Sequence, residues 1–141
     1  MILKIKKLHK EAKLPAFAHD TDSGMDLFAL KAKKINPGEI AHIETGIAIE
    51  LPKGYAALVW DKGSISLVHG LKVLGGVFDS GYTGDYTVGL ANLSQKTYKI
   101  EKGSKVAQLL IQKIEHPKIV ETKELKKSKR GVGRFGSTGE K

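Results

Sequence analysis

Residues 40–60 read IAHIETGIAIELPKGYAALVW, and this stretch decides the fold class. Three short runs rich in apolar residues, 40–43, 47–51 and 55–60, are separated by turn residues that include Pro52 and Gly54. Runs of roughly four to eight such residues between turns are typical of β-strands, whereas a helix needs a longer stretch with a period near 3.6. The stretch therefore predicts consecutive short strands.

The same alternation of short runs and turns continues on both sides of this stretch. Turns are predicted at 36–38, 75–76, 81–84 and 102–103, and further strands over 86–91 and 106–112. One short helix is predicted around 64–69, with Ser64 as its N-cap. We therefore predict a single all-β domain over residues 1–115, with a β-barrel or jelly-roll-like fold, followed by a connector and a Gly-rich C-terminal arm over 116–141.

The composition excludes several classes of protein. The 141 residues contain no cysteine, which rules out disulfides, thiolate metal sites and cysteine nucleophiles. No apolar run approaches the length of about 18 residues that a membrane span requires, so no membrane partner is expected. Lysines interrupt every apolar stretch of the N-terminus, unlike in a signal peptide, and a cytoplasmic location is predicted.

The net charge of +9 lies at the two ends of the chain. Residues 1–13 carry five lysines and one glutamate, and residues 113–141 carry nine basic and four acidic side chains. The body, residues 14–112, has ten basic and ten acidic side chains. A nucleic-acid-binding domain usually places its positive charge on one folded face, so no nucleic-acid partner is predicted.

Two stretches carry groups suited to chemistry. FDSGYTGD at 78–85 predicts a tight hairpin with Asp79 and Tyr82 at its mouth, although an ordinary turn has a similar composition. RGVGRFGSTG at 130–139 combines glycines, hydroxyls and two arginines, which are groups that bind phosphate, but it lacks the P-loop spacing. A flexible tail is the alternative, and the lone aromatic Phe135 argues against it.

Five motifs in a fixed order resemble those of the trimeric dUTPase family, and the resemblance spans nearly the whole chain. They are DSGMDL at 22–27, WDKGSIS at 60–66, GVFDSGYTG at 76–84, GSKVAQL at 103–109 and RGVGRFGSTG at 130–139. The resemblance implies an enzyme that hydrolyses dUTP to dUMP and pyrophosphate, by attack of an Asp-activated water at the α-phosphate with Mg²⁺. It also implies a homotrimer with shared active sites.

The resemblance assigns a role to each motif. Asp79 matches the catalytic aspartate, Tyr82 the ring that packs against the deoxyribose, and Gly76 and Val77 the backbone that pairs with uracil. The implied phosphate-binding residues are Lys62, Gly63, Ser64 and Gln108, and Asp26 is implied to lie near the metal, through a bound water. In the arm, Phe135 is implied to stack on uracil while Arg130, Gly136, Ser137 and Thr138 hold the γ-phosphate over a site of another subunit.

The chain departs from the family pattern at a few positions. Gly63 stands where the family generally has serine, so the hydroxyl contact of this motif is in question. Arg134 replaces a glycine, and Gly81 and Thr83 replace an acidic and a basic residue seen in many members. None of these last three has an assigned role, so the catalytic interpretation is unaffected.

Three other functions remain open at this point. A dCTP deaminase has the same β fold, but it needs a glutamate acid/base and lacks the Phe-Gly-Ser-Thr-Gly arm. A non-enzymatic barrel that binds nucleic acid through its basic ends would show steep salt dependence and no turnover. An inactive relative is the third, because of the altered second motif.

Overall fold

The computed structural model describes residues 1–129 and 131–133, and eleven strands and one helix occur among them. The elements are β1 (Lys4–Lys7), β2 (Met25–Phe28), β3 (Lys33–Ile35), β4 (Ile40–Ile43), β5 (Ile47–Glu50), β6 (Tyr55–Trp60), α1 (Gly63–His69), β7 (Leu71–Leu74), β8 (Val77–Asp79), β9 (Val88–Asn92), β10 (Tyr98–Ile100) and β11 (Lys105–Lys113). The predicted strands over 40–43 and 55–60 match β4 and β6 at both ends.

The strands form four antiparallel sheets. Two sheets have two strands each, β1–β5 and β3–β10, one has three, β4–β9–β7, and one has four, β2–β11–β6–β8. The predicted all-β, jelly-roll-like fold with one short helix is confirmed. Among the described residues, no sheet closes on itself into a barrel, so the barrel form of the prediction does not apply.

The core lies where the buried faces of these sheets meet, and period-2 alternation decides which side chains enter it. In β4, Ala41 and Ile43 are buried while their neighbours face outward. In β9, Leu90 and Asn92 are both fully buried. The Asn92 amide is accommodated because Nδ2 donates to the carbonyl of Ile35 at 2.9 Å and Oδ1 accepts two bonds from Ser94. A buried polar group with its bonds made costs little.

The helix starts one residue earlier than predicted, and its predicted cap is wrong. Lys62 occupies the N-cap position with extended backbone and makes no side-chain capping bond, while Ser64 is already the second helical residue. The helix ends at Gly70, whose φ of 71° is the left-handed conformation that glycine adopts without strain.

The predicted hairpin at 78–85 is also wrong in its pairing. A tight turn is present, because Tyr82 N donates to the carbonyl of Asp79 at 3.0 Å. However, β8 pairs with β6, whereas the next strand, β9, pairs with β4 and β7 in another sheet. The turn is therefore a corner between two sheets. The strand predicted from residue 86 begins at Val88. Tyr86 lies outside it, and its N–H donates to the carbonyl of Ile47 in β5, which belongs to a different sheet from β9.

After β11 the chain extends away from the sheets. Ile114 N donates to the carbonyl of Gly54 at 2.9 Å, and no strand or helix follows within 114–129 and 131–133. The division at residue 115 into domain and arm stays a prediction. In the described part of the chain, no helix has the length and apolar character needed to cross a membrane.

Candidate active site

The four-stranded sheet aligns three motif residues across its width. Gln108 of β11 lies opposite Asp26 of β2 on one side and opposite Trp60 of β6 on the other. Residues directly opposite each other in antiparallel strands place their side chains on the same face of the sheet. The first, second and fourth motifs therefore meet at this end of the sheet, as the sequence predicts.

Asp26 is the centre of a charged cluster. Its carboxylate is buried, and Oδ1 and Oδ2 accept bonds from Lys62 Nζ at 2.8 Å and Lys105 Nζ at 2.7 Å. Burial alone would raise the pKa of Asp26, but the hydrogen bonds from Lys105 and Lys62 outweigh it and hold the pKa below its usual value. One anion with two cations leaves the cluster with a net positive charge, which favours an anionic ligand.

Lys105 joins this cluster because of an irregularity in β11. The register with β2 shifts between Lys105 and Ala107, so that Lys105 lies opposite Phe28, two residues from Asp26. In a regular strand, Lys105 and Gln108 would point to opposite faces, since they are three residues apart. The β-bulge returns Lys105 to the face of Asp26. Lys105 stands within the fourth motif but has no role predicted from the sequence.

Lys62 is the N-cap of α1, two residues after the end of β6, and Gly63 and Ser64 are the first two residues of the helix. The first hydrogen bonds of the helix run from Ile65 N and Ser66 N to the carbonyl of Lys62. The N–H groups of Gly63 and Ser64 come before these and are not used in the hydrogen bonding of the helix. Gly63 and Ser64 are both exposed. A Cβ at Gly63 would meet no atom within 4 Å, so crowding in this chain does not require glycine there.

β8 forms the open edge of the four-stranded sheet. Val59 N donates to the carbonyl of Gly76 at 2.7 Å. Because hydrogen-bonded and non-hydrogen-bonded pairs alternate in antiparallel strands, the N–H and C=O groups of Val77, the next residue, point away from β6. A Cβ at Gly76 would lie 2.2 Å from the Val59 carbonyl oxygen, so this position requires glycine. Val77 therefore presents backbone donors and acceptors at the edge, as its predicted role needs.

Asp79 and Tyr82 lie at the far end of β8. Asp79 is exposed, and Tyr82 is 43% exposed, with its hydroxyl donating to the Asp85 carbonyl at 2.9 Å. Asp85 is itself fixed, because its carboxylate accepts from Gly46 N and from the Thr87 hydroxyl, each at 3.0 Å. Asp85 has no role predicted from the sequence, and the bond that anchors it joins residues 39 positions apart.

A single chain does not bring the two groups of site residues together. Asp79 lies opposite Ala56 at the start of β6, whereas Gln108 lies opposite Trp60 at its end. Four residues of strand span about 13 Å at roughly 3.3 Å per residue. The remaining predicted site residues, Arg130, Phe135, Gly136, Ser137 and Thr138, lie outside the described residues.

Asp26 is the residue implied to lie near Mg²⁺, a cation that prefers oxygen ligands. Among the described residues, no group of three acidic or histidine side chains is placed to hold a metal. Both Asp26 oxygens already bond to lysines, so Asp26 does not fit as a direct ligand. Each carboxylate oxygen has a second lone pair that can accept from a metal-bound water, so the water-mediated role fits.

The fold and site define a class: an all-β protein with a positively charged cluster suited to an anionic ligand and a separate exposed carboxylate. The dUTPase family model matches residues 10–139. The chain therefore belongs to the dUTPase family, as its motifs predict, and is a hydrolase.

Relatives support this assignment over almost the full length. The chain is 48% identical to the deoxyuridine 5'-triphosphate nucleotidohydrolase of Clostridium tetani, with 97% of this chain and 96% of that protein aligned. It is 44% identical to the protein of the same name from Alkaliphilus metalliredigens, over 99% and 98%.

A solved structure shows the same fold. The Staphylococcus bacteriophage 80alpha dUTPase with dUPNHPP superposes with a TM-score of 0.91 at 30% identity, covering 98% of each chain. A dUTPase mutant from phage phi11 of S. aureus, described with a structural Mg(II) ion, gives 0.82 at 27% identity, covering 88% of this chain and 98% of that one.

Proposed function

We propose that the chain hydrolyses dUTP to dUMP and pyrophosphate at sites that two or more identical subunits share. Hydrolysis of dUTP follows from membership of the dUTPase family. The observation that supports shared sites is a distance along β6. Asp79 and Gln108 lie opposite residues of β6 that are about 13 Å apart. A base and an α-phosphate ligand must both reach the same phosphorus, and this separation is too large within one chain.

Asp79 is the general base in this proposal. Its carboxylate takes a proton from a water molecule, whose oxygen attacks the α-phosphorus. The bond from that phosphorus to the bridging oxygen breaks, and pyrophosphate leaves with the bonding electrons. Such a reaction depends mainly on positioning and charge neutralisation, so an exposed carboxylate at the end of a paired strand suits it.

The phosphate chain is bound at the opposite end of the sheet. The Lys62 ammonium and the N–H groups of Gly63 and Ser64 bind phosphate oxygens, and Gln108 contacts the α-phosphate. The positive charge of the Asp26 cluster supports this assignment. The C-terminal residues Arg130, Gly136, Ser137 and Thr138 complete the grip on the γ-phosphate, and Phe135 stacks on uracil.

The nucleoside is recognised beside β8. The backbone at Gly76 and Val77 pairs with the uracil edge, and fixed main-chain donors and acceptors discriminate against cytosine. Tyr82 forms the wall against the deoxyribose and leaves no room for a ribose 2′-hydroxyl. Its partial exposure and its hydroxyl bond to Asp85 support a ring that is both accessible and fixed.

The oligomer in this proposal is a homotrimer in which the C-terminal connector and arm reach another subunit. Apolar side chains support it, because Ile119, Val120 and Leu125 of the connector are 93%, 70% and 85% exposed in a single chain. Exposed apolar groups on an extended segment gain free energy by packing on a neighbouring surface. Val77 and Trp60, at 69% and 55%, offer such a surface on the four-stranded sheet.

Mg²⁺ is the proposed metal ion. It would bind mainly to the triphosphate and keep several waters, one of which donates to Asp26, and it would neutralise phosphate charge. A cytoplasmic location and the absence of nucleic-acid and membrane partners stay predictions.

The first test replaces the proposed base. Asp79→Asn keeps the size and hydrogen-bonding capacity of the side chain but removes its basicity, so we expect kcat to fall by about a thousandfold or more while dUPNHPP binds nearly as before. Pyrophosphate release and calorimetric binding measure the two effects. Asp20→Asn, at another exposed carboxylate, is the control and should match the unmodified protein.

The same assay tests the substrate. Pyrophosphate release from dUTP, with little from UTP, dCTP or dTTP, is expected. Ammonia release from dCTP would instead indicate a deaminase. Near-normal kcat in Asp79→Asn would place the base elsewhere.

A further inference from the structure

Three aromatic rings form a cluster beneath the corner that carries Asp79 and Tyr82. The rings of Phe78 and Tyr86 stack with centroids 4.3 Å apart and an interplanar angle of 12°. Tyr82 packs against both in tilted geometry, with centroid distances of 5.7 Å to Phe78 and 6.0 Å to Tyr86. Aromatic pairs at these distances attract one another beyond the effect of the area that they bury. The Tyr82 ring is therefore supported from below by two other rings.

Tyr86 is the buried member of this cluster. It is 0% exposed, and its hydroxyl has no hydrogen-bond partner among the described residues. Burial, together with the nearby Tyr82, raises the pKa of Tyr86 to about 12, so the ring is neutral at physiological pH. The contacts that Tyr86 makes within this cluster are contacts of its ring.

The remaining sides of Tyr82 are also restrained. A Cβ at Gly84 would lie 2.5 Å from the Tyr82 hydroxyl oxygen, so the ring occupies space that only glycine leaves free. The hydroxyl donates to the Asp85 carbonyl at 2.9 Å, and the backbone N–H donates to Asp79 at 3.0 Å. With the ring cluster below, these contacts hold Tyr82 in one orientation while part of its surface stays exposed.

We propose that Tyr86, stacked on Phe78, is a positioning residue that fixes the Tyr82 ring and thereby sets the discrimination between deoxyribose and ribose. The proposal rests on the role given to Tyr82 under the proposed function. Exclusion of one added hydroxyl requires a wall that does not move, because a ring that shifts would leave room for the added oxygen atom. Tyr86 touches no substrate and acts only through Tyr82.

The test compares two substitutions at residue 86 in the full-length protein. Tyr86→Leu removes the ring that stacks on Phe78, and we expect the ratio of kcat/KM for dUTP to that for UTP to fall by about tenfold, mainly because UTP is admitted. Tyr86→Phe keeps the ring and removes only the unpartnered hydroxyl, so the ratio should stay within about twofold of the original. Both substrates are measured on one enzyme sample, so partial unfolding leaves the ratio unchanged.

Further variants separate this inference from the function on which it rests. Phe78→Leu removes the other half of the stack and should lower the ratio similarly, which provides a second test if Tyr86→Leu fails to fold. Tyr98→Leu, at a half-buried tyrosine that packs on His69, is the control for loss of an aromatic ring and should leave the ratio unchanged.

The outcomes are distinct. If Tyr82→Ala relaxes the ratio but Tyr86→Leu and Phe78→Leu do not, the positioning role is overturned while the role of Tyr82 stands. If Tyr82→Ala itself leaves the ratio unchanged, both the Tyr82 assignment and the inference fail. Relaxation in all three, with Tyr86→Phe unaffected, supports the inference.

Discussion

At the scale of single residues, Asp26 organises positive charge rather than presenting a free carboxylate. Its two oxygens bond to Lys62, at the N-cap of α1, and to Lys105, at the start of β11. An ammonium group held by a buried carboxylate loses less side-chain freedom when it binds phosphate than a lysine that moves freely in solvent. The positions of both lysines therefore depend on Asp26.

Replacing this carboxylate gives a prediction about stability and pH. Asp26→Asn removes the anion between two cations, and we expect a loss of roughly 2–3 kcal/mol at pH 7, discounted for the partial exposure of Lys105. Because the folded-state pKa of Asp26 lies below the ordinary value of 3.8, its stabilisation is present above that value and is lost as pH falls through the lower folded-state pKa. Denaturant unfolding between pH 7 and pH 2 measures both effects.

The control is Glu50→Gln, which breaks the exposed ion pair with Lys4 and should change stability by less than about 1 kcal/mol. If Asp26→Asn shows the same acid dependence of unfolding as the unmodified protein, then the ion pairs of Asp26 do not carry this stabilisation.

The sequence assigns a role to a residue only where a motif contains it, and these roles stay predictions. The motifs placed Asp26, Gln108 and Lys62 in one site, and the structure brings these three together. Lys105 was missed because its direction depends on a β-bulge, and period-2 alternation in the sequence assumes a regular strand. The sequence predicts a strand from Tyr86 but not its stacking on Phe78, since that contact depends on how two sheets meet.

At the scale of secondary-structure elements, the attachment of β8 to β6 controls one half of the site. β8 has only three residues, and its sole partner strand in the described structure is β6. Gly76 makes the attachment possible because a Cβ at this position would overlap the Val59 carbonyl. The positions of Val77, Asp79 and Tyr82 therefore depend on this contact.

A side chain at residue 76 should detach the strand. Gly76→Ala places a Cβ 2.2 Å from the Val59 oxygen, and we expect a loss of about 1–3 kcal/mol in stability together with weaker dUPNHPP binding. Gly81→Ala is the matched control, because its Cβ would meet nothing within 4 Å and its φ is not left-handed. Thermal unfolding and calorimetry measure the two properties, and equal behaviour of the two variants would contradict the role given to Gly76.

The strands themselves were more predictable than their partners. β4 and β6 follow from local runs of apolar residues, and both end where the sequence predicts. The turn at 78–85 was predicted as a hairpin because local sequence cannot show that its two flanking strands belong to different sheets. Pairing is decided by contacts between residues far apart in the chain, so a single sequence contains little information about it.

At the scale of the whole molecule, charge and geometry lead to the same conclusion. The body of the chain is neutral and its ends are basic. Asp79 and the Asp26 cluster lie at opposite ends of one sheet, about 13 Å apart by register. A second copy that brings its Asp79 to the phosphate cluster of the first would join the two halves, and a basic arm would supply further positive charge.

Co-expression of two inactive variants tests the shared site most directly. One chain carries Asp79→Asn and the other carries Lys62→Ala, and each protein alone should show little dUTP hydrolysis. In a randomly mixed oligomer, about one site in four combines an intact Asp79 from one chain with an intact Lys62 from another, so the account predicts recovery of roughly a quarter of full activity. Activity that stays at the level of the separate variants would show that each site lies within one chain, and would contradict the account.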